Sequence, residues 1–487
     1  MTVEEKIAAG FRMEAVAKAA DILSGGILII VLARLLDPES YGLLYFALSI
    51  LAVATLLSSL GFGRSAARYL TEYDERNAGQ VPHIIESSIL YTAVPLAIVA
   101  GALLFFAAEL TAFLGEPGLE PFLLLGTAFL IGSTTVKYTR RVLQGFKKIR
   151  LSAVVMVTDA VLKSIVAITL AILGYGPIGA FFGYVLGGLV AGLLGAAFTY
   201  RQYRAYERTQ IEDGLRRRLF EYAMPLSLTA SGDILIKRVD IILIGFFLTP
   251  VFVSYYTISK QLVKFAKFPA SSLGFAISPR YKEQYEQGNV SRAARLYEDA
   301  LTGMLLVYVP ATAGLILVAG PTIELVFGAE YSGAVPVLQV LSLFLVAQTV
   351  TYVTSSGLDY LGQATLRAYA KGGVAIGNFV LNLLLIPTIG IIGAAISTVV
   401  AYGVYALLNV YIMHLELTLS WRRIGRDLGR IVAITAAMAL VVATLTGSIA
   451  GLLSLLGVVG LGVAVWFALS YALGFVEKQH VRTVIGR

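Results

Sequence analysis

Ser58-Ser59-Leu60-Gly61-Phe62 is written a second time 213 residues later, as Ser271-Ser272-Leu273-Gly274-Phe275. Around this echo, Ile29-Ile30 and Pro38 line up with Ile241-Ile242 and Pro250 at an offset of 212. Phe113-Leu114-Gly115 lines up with Val326-Phe327-Gly328, and Gly176-Pro177-Ile178-Gly179-Ala180 with Gly390-Ile391-Ile392-Gly393-Ala394 at an offset of 214. One such match arises easily by chance among apolar residues. Four in order, at nearly constant spacing, mark an internal duplication.

The duplicated material is built for lipid. Of the 487 residues, 57% are apolar and 14% charged, against roughly 25% charged in soluble proteins. Mean hydropathy is +0.80. A helix needs about 20 mostly apolar residues to cross a bilayer core, and fourteen runs qualify. They centre near 17–36, 43–61, 87–113, 119–139, 151–173, 176–200, 222–248, 250–277, 297–320, 334–358, 369–388, 391–413, 429–447 and 450–475. Links such as Gly174-Tyr175-Gly176-Pro177, Thr249-Pro250 and Pro387-Thr388 read as tight hairpins between antiparallel helices. The expected fold class is an all-α polytopic membrane protein with 14 transmembrane helices. Residues 1–213 form a first six-helix lobe, 214–427 a second, and 428–487 an extra helix pair with a cytoplasmic tail. Six spans per repeat is an even number, so the halves share one orientation and form a parallel repeat, with a substrate cavity expected between two six-helix lobes.

Orientation follows from Lys and Arg, which concentrate in cytoplasmic loops. The segments after even-numbered spans are basic: Lys137, Arg140, Arg141, Lys147, Lys148 and Arg150 in one, Arg201, Arg204, Arg208, Arg216, Arg217 and Arg218 in another, and Arg422, Arg423, Arg426 and Arg430 in a third. The segments after odd-numbered spans hold acids such as Glu116, Glu120, Glu324 and Glu330. Six of the 38 bases lie within spans and one, Arg34, falls on the odd side; the rest are on the even side. Both termini are thus expected in the cytoplasm, in a multi-pass protein of the cytoplasmic (inner or plasma) membrane. Acidic and basic residues alternate from Glu4 to Asp21, which reads as an amphipathic lead-in to the first span rather than a cleavable signal.

Several chemistries are set aside by composition. The chain has no cysteine, which removes disulfides, thiolate catalysis and cysteine-held metals. His83, His414 and His480 are far apart with no ligand spacing, so neither a metal site nor a cofactor is expected. The net charge of +8 is that of positive-inside loops rather than of a nucleic-acid binder.

Charges inside the spans are costly, on the order of 2.5–3.5 kcal/mol each on insertion scales, so their placement carries information. Span five holds Asp159 and Lys163, an i,i+4 pair that reads equally as a self-neutralising structural pair. Span seven holds Asp233, Lys237, Arg238 and Asp240, and span eight holds Lys260, Lys264 and Lys267 without an acid. Tyr256, Lys260, Lys264, Lys267 and Ser271 form one polar stripe at helical spacing. Lys267 can snorkel to the headgroups; Lys260, nearer mid-span, cannot do so easily. Six bases oppose three acids, a surplus that favours an anionic, phosphate-bearing substrate. Asn378, Asn382 and Gln348 read as interhelical hydrogen-bond glue.

The stretch Arg238-x-Asp240-x-x-Leu243-Ile244-Gly245-x-Phe247-Leu248, then Tyr255-Tyr256 and Lys260, resembles the seventh and eighth spans of the polysaccharide-transporter (Wzx-like) flippases. These belong to the multidrug/oligosaccharidyl-lipid/polysaccharide exporter superfamily, with MATE and MurJ relatives. Pro310-Ala311-x-Ala313-Gly314-Leu315 leading into Val326-Phe327-Gly328-Ala329-Glu330-Tyr331-Ser332-x-Ala334 is similar to that family's ninth span and following loop. A third match is Asn378-x-x-Leu381-Asn382-Leu383-x-Leu385-Ile386-Pro387-x-x-Gly390-x-x-Gly393-Ala394-Ala395.

The resemblance implies a MATE/MurJ-like fold and a flippase for lipid-linked oligosaccharides, working by alternating access around a cationic cavity. In MurJ-like proteins an arginine shortly after a paired aromatic meets the pyrophosphate region. Here the aromatic pair is followed by Lys260, whereas spacing from Phe268-Pro269 points to Lys264, and both readings stay open. Arg64 and Arg68 fall where relatives also carry bases, and read equally as ordinary positive-inside residues. The implied substrate-binding set is Lys260, Lys264, Arg238, Lys237, Tyr256, Arg64 and Arg68. Asp233, Asp159 and Asp240 are candidates for coupling to H+ or Na+. The last two spans would form a groove for the lipid tail. Implied partners are the lipid-linked glycan, membrane lipids and glycosyltransferases of the same pathway, with no nucleic acid. One rival is a cation-coupled drug or metabolite antiporter of the MATE type, which calls for acidic cavity residues. Another is a membrane glycan polymerase or ligase, which calls for a charged outward loop that the short connections here do not supply.

Overall fold

A computed structural model describes residues 3–266 and 283–475; the side chains of 3–12, 15, 16 and 228–237 lie outside that description. The described residues form helices and turns without a strand. In order they are α1 (Val3–Leu35), α2 (Pro38–Ser59), α3 (Phe62–Arg76), α4 (Val81–Phe105), α5 (Ala107–Leu114), α6 (Glu120–Gly145), α7 (Ile149–Ile172), α8 (Gly176–Tyr203), α9 (Leu215–Phe247) and α10 (Pro250–Ala266). Then follow α11 (Val290–Leu317), α12 (Ala319–Val326), a 3-10 turn over Ala329–Ala334, α13 (Val335–Tyr360), α14 (Ala364–Ile389), α15 (Ile391–Leu417), α16 (Trp421–Leu445) and α17 (Leu452–Ala472).

Helices overlap the expected spans, the eighth of which runs past Ala266 outside the described residues, and among the described residues eleven helices, fewer than the fourteen expected, are long and apolar enough to cross a membrane. Proline opens many of them, at the first turn of α2, α4, α6, α8, α10 and α13, where a missing N–H costs nothing. Asp37 caps α2 by accepting from the amides of Glu39 and Ser40, each at 3.0 Å. Phe105, Leu193, Leu407 and Leu453 point outward with more than two thirds of their surface exposed, as befits side chains whose solvent is lipid.

The duplication is legible element by element. The series α4, α5, α6, α7, α8 recurs as α11, α12, α13, α14, α15, down to the eight-residue helices α5 and α12. Two features lay outside the expected pattern. The run near 87–113 breaks at Phe106 into α4 and the short α5, and the stretch after span two, expected as a loop, is the amphipathic helix α3. Its tyrosines and leucine (Tyr69, Leu70, Tyr73) join Val81, Ile84, Val142 and Leu219 in a buried cluster.

The chain divides into two compact units, residues 1–254 and 255–487. The division falls some forty residues beyond the expected repeat boundary, because α9 packs on α2, α3 and α4 of the first unit. Gly61 is the clearest contact. It sits at φ +70°, and a Cβ there would come within 2.9 Å of Ser227 Oγ on α9. Ser227 in turn donates to the Leu60 carbonyl, and Ser65 Oγ to that of Leu219 at 2.8 Å.

Elsewhere in the first unit, α8 lies between α6 and α7, and at two glycines its backbone meets theirs directly. A Cβ on Gly132 would stand 2.7 Å from the backbone of Gly188 and Leu189, and one on Gly187 2.9 Å from that of Lys163. Small residues let helix backbones meet this closely in lipid, where dispersion and not hydrophobicity holds helices together.

The segment linking α8 to α9 is tied to the same unit. The Thr209 carbonyl lies 2.7 Å from His83 Nε2, and Gln80 Nε2 donates to Thr209 Oγ1 at 3.1 Å. The Glu212 amide donates to Gln80 Oε1 at 2.9 Å, while its carboxylate accepts from Arg218 at 2.7 Å and Tyr73 at 2.8 Å. Those hydrogen bonds hold the Glu212 carboxyl below its ordinary value. Burial and a hydrogen bond to Asp74 push the Tyr206 phenol up to about 12.

In the second unit, α16 and α17 pack on α11 and α12. Val318, Met438, Val442, Leu455 and Val458 form a core there, and Trp466 Nε1 donates to the Leu306 carbonyl at 2.8 Å. Buried Glu298 accepts from the Ser420 amide at 2.7 Å and from Arg423 at 3.3 Å.

Candidate functional site

The first unit gathers charge around Arg238. Its helix, α9, brings the half-buried guanidinium within electrostatic reach of the Tyr45 hydroxyl from α2 and the Tyr184 hydroxyl from α8. Tyr41, one turn before Tyr45, packs its ring against it at a tilt, 4.6 Å between centroids. From α7, Asp159 and Lys163 approach to 3.5 Å as an i,i+4 ion pair, and Lys163 Nζ sits 5.7 Å from the Tyr184 ring centre. Asp240, two residues beyond Arg238, is buried.

A further base joins this group from α6. Lys137 lies within electrostatic reach of Arg238, and Arg141, one turn along the same helix, is a neighbour of Arg64. The sequence reading places Lys137 and Arg141 among the loop bases, although its fourth span, 119–139, already reaches past Lys137. The helix in fact runs to Gly145, so Lys137 stands two turns inside it. The i,i+4 spacing of Lys137 and Arg141 is the signal that points to one helical face.

Arg64 and Arg68 separate. Both lie on α3, but the Arg68 guanidinium covers the Tyr222 ring at 4.1 Å and Tyr69 at 5.7 Å, a cation–π stack that ties α3 to α9. Arg64 is exposed.

In the second unit, α10 carries the aromatic pair and its lysines. Tyr255 lies against Gly333, and its hydroxyl donates to the Glu330 carbonyl at 3.4 Å. Ser259 Oγ reaches the Ala334 carbonyl at 3.2 Å. The run Ala329–Ala334 is therefore the seat on which α10 rests. Tyr256 is fully enclosed, its hydroxyl 3.0 Å from Thr398 Oγ1 on α15. Its ring carries the half-buried Lys260, with Nζ 5.2 Å from the ring centre. Lys264, one turn on, is exposed. Asn382 Nδ2 donates to the Asn378 carbonyl at 3.0 Å and to its side-chain oxygen at 3.2 Å, a buried pair within α14.

Lys237 and Asp233 fall in the part of α9 whose side chains lie outside the described residues, and Lys267, Phe268-Pro269 and the second Ser-Ser-Leu-Gly-Phe lie outside them too. Among the described residues no three His, Asp or Glu side chains come together as metal ligands would.

Known proteins share parts of this sequence and its fold. Residues 31–336 match the family model described as polysaccharide biosynthesis protein. A probable low-salt glycan biosynthesis flippase of Haloferax volcanii is 25% identical over 40% of this chain and 41% of its own length. An uncharacterized membrane protein of Methanocaldococcus jannaschii is 26% identical over 43% and 42%, so the chain spans about two fifths of these two relatives. The lipopolysaccharide biosynthesis protein WzxC of Escherichia coli K12 is 24% identical over 70% and 67%.

Among solved structures, the lipid II flippase MurJ in an inward closed conformation superposes with a TM-score of 0.76 at 16% identity, covering 94% of this chain and 98% of that one. An inward-facing multidrug resistance MATE transporter gives 0.62 at 18% identity, covering 83% and 94%. Those likenesses establish the fold, and by their names the similar proteins are flippases and transporters rather than enzymes. With nearly two thirds of its length matched by one family model, the chain belongs to the polysaccharide biosynthesis protein family of Wzx-like membrane proteins.

Proposed function

We propose that the protein is a flippase that moves a sugar or oligosaccharide linked to polyprenyl or dolichyl phosphate or diphosphate across the cytoplasmic membrane by alternating access. The observation that carries this reading is the surplus of bases in the spans: Lys137 within electrostatic reach of Arg238 in the first unit, and Lys260 over the Tyr256 ring in the second. Two cations held close together within spans repel each other, and an anion between them relieves that cost. Guanidinium and ammonium groups match phosphate oxygens. Family membership among polysaccharide biosynthesis proteins supports a glycan cargo.

Lys260, Lys264 and Arg238 hold the phosphate head in this proposal, with Lys237 and Arg64 further along its path. Tyr256 and Arg68 act through position, Tyr256 by supporting Lys260 and Arg68 by fixing α3. The lipid tail stays in the bilayer beside α16 and α17. Both termini face the cytoplasm, where glycosyltransferases of the same pathway deliver the cargo. Asp159, Asp240 and Asp233 are the carboxylates available for coupling to H+ or Na+; Asp159 in its pair with Lys163 is neutralised without one.

Deleting the gene and measuring lipid-linked sugars on the cytoplasmic leaflet tests the reading. Accumulation is expected, reversed by the wild-type chain and not by Lys260→Ala inserted at equal level. One lost charge-assisted contact is worth about 1.5–3 kcal/mol, so the variant should export at least tenfold more slowly. The shared fold of the MATE transporter supports the second reading, a cation-coupled antiporter. No accumulation on deletion, with altered resistance to cationic drugs, would decide for it.

A further inference from the structure

The turn between α6 and α7 and the end of α8 enclose a cavity of about 230 Å³ lined by Lys148, Leu151, Phe198, Arg201 and Gln202. Its lining combines two apolar side chains with two cations and an amide. The neighbouring bases are already matched: Lys147 Nζ lies 2.5 Å from Glu75 and Arg208 3.1 Å from Glu86. Among the described residues, Lys148 and Arg201 make no ion pair. Lys147, at φ +58°, holds a left-handed conformation that a side-chain-bearing residue adopts at a cost of roughly 1–2 kcal/mol. The turn that presents Lys148 is therefore a specified shape.

From this cavity, lipid-facing apolar residues run away along both helices, with Val154, Val161 and Ile165 on α7 and Val190 and Leu193 on α8 exposed. Tyr200 is also exposed, stacks on Tyr203 at 6.2 Å and is covered by Arg204 at 5.9 Å, an aromatic–cation girdle of the kind found at headgroup level.

We infer that this cavity is a binding site for the phosphodiester headgroup of an anionic membrane phospholipid, taken from the leaflet that the basic loops contact. Lys148 and Arg201 hold the phosphate, Gln202 hydrogen-bonds the polar head, and the acyl chains lie along the exposed stripes of α7 and α8. Basic pockets between helices at the cytoplasmic end are suited to such lipids. The volume is below the roughly 300–1,000 Å³ of sites that enclose drug-sized ligands: room for a small headgroup, not for a multi-sugar glycan. None of the bases assigned to the cargo lines it, so the site stands whether or not the transport reading does.

The test uses the full-length protein in detergent, challenged with phosphatidylglycerol or phosphatidylcholine and read by native mass spectrometry and thermal melting. Wild type should retain phosphatidylglycerol preferentially and melt higher in its presence. Each base near an anionic surface contributes about 1 kcal/mol, so the Lys148→Gln/Arg201→Gln double variant should lose about thirtyfold of that preference. Its melt in phosphatidylcholine should stay unchanged, which separates lost binding from lost folding. Arg150→Gln/Arg216→Gln, which removes equal charge from residues outside the lining and its aromatic girdle, should keep the preference. Equal losses in both double variants would reduce the effect to general surface charge and overturn the site. So would an absence of preference in wild type, or an equal melting shift with soluble glycerol phosphate, which would mark an anion site without a lipid.

Discussion

The two copies of the repeat use the same helices to opposite ends. In the first, α7 is clasped: α8 meets it backbone to backbone at Gly187, and α1 covers it through Ala17 against Ala153 and Met156. In the second, the corresponding α14 buries only Asn378, Asn382 and Ile386, and a Cβ on Gly372, Gly373 or Gly377 would meet nothing within 4 Å. The difference teaches that duplicated sequence need not mean duplicated packing. Around α7 glycines serve helix contact, while among the described residues Gly372, Gly373 and Gly377 stay open along α14.

The sharpest way to break this comparison is to fill both sets of glycines. Gly132→Leu would drive a side chain into the Gly188–Leu189 backbone, which cannot retreat without parting α6 from α8. Overpacking of a yielding core costs about 1–3 kcal/mol, and a backbone clash should exceed that, so little folded protein should survive detergent extraction. Gly373→Leu should express and melt like wild type, or slightly higher, since glycine is the poorer helix former. Similar melts for the two variants would show that the first copy is not held by glycine contact.

The next contrast concerns the cationic groups of the two units. Lys137→Gln should slow glycan export severalfold while leaving the melt unchanged, a smaller loss than for Lys260→Ala because Arg238 remains beside it. Export at the wild-type rate would return Lys137 to the positive-inside loop bases.

Ion pairs distinguish the units more finely. Arg423→Ala strips Glu298, whose side chain is 4% exposed, of its partner, and a buried carboxylate left short of hydrogen bonds should lower stability by about 1–2 kcal/mol. Lys147→Ala breaks a pair exposed on both sides and should cost less than about 0.5 kcal/mol. Equal melting shifts would remove the distinction.

The smallest effect is expected in acid, at the linker of the first unit. Because its hydrogen bonds hold Glu212 below 4.5, its contribution is present above that pH and fades as pH falls through the folded value. Proteolysis within 204–214 should therefore rise below about pH 4.5, and Glu212→Gln should cut readily at neutral pH with a flatter acid profile. An unaltered profile in the variant would assign the acid response to other carboxylates.

Much of the molecule was legible in one dimension. Hydropathy over windows of about 20 residues located the eleven described helices long and apolar enough to cross a membrane, since burial in lipid is decided segment by segment and needs no knowledge of neighbours. The repeat appeared because its echoes, Pro38 with Pro250 and Gly176 with Gly390, sit at helix starts and turns where backbone geometry restricts the choice of residue. Lys260 stood out because a mid-span charge is conspicuous wherever its helix points.

Hidden from that reading were the relations between segments. That α9 packs with the first unit follows from Gly61 and Ser65 meeting Ser227 and Leu219, more than 150 residues away. That Tyr256 is an enclosed support under Lys260, and Lys137 a partner of Arg238, depends on how each helix is rotated about its axis and where it ends. By itself the sequence determined that this chain lives in lipid, that it is doubled and that bases outnumber acids within its spans, because those are sums over local composition. Only the tertiary structure decided which of those bases stand together, because in lipid the meeting of helices is settled by shape: by which backbones can approach closely enough to touch.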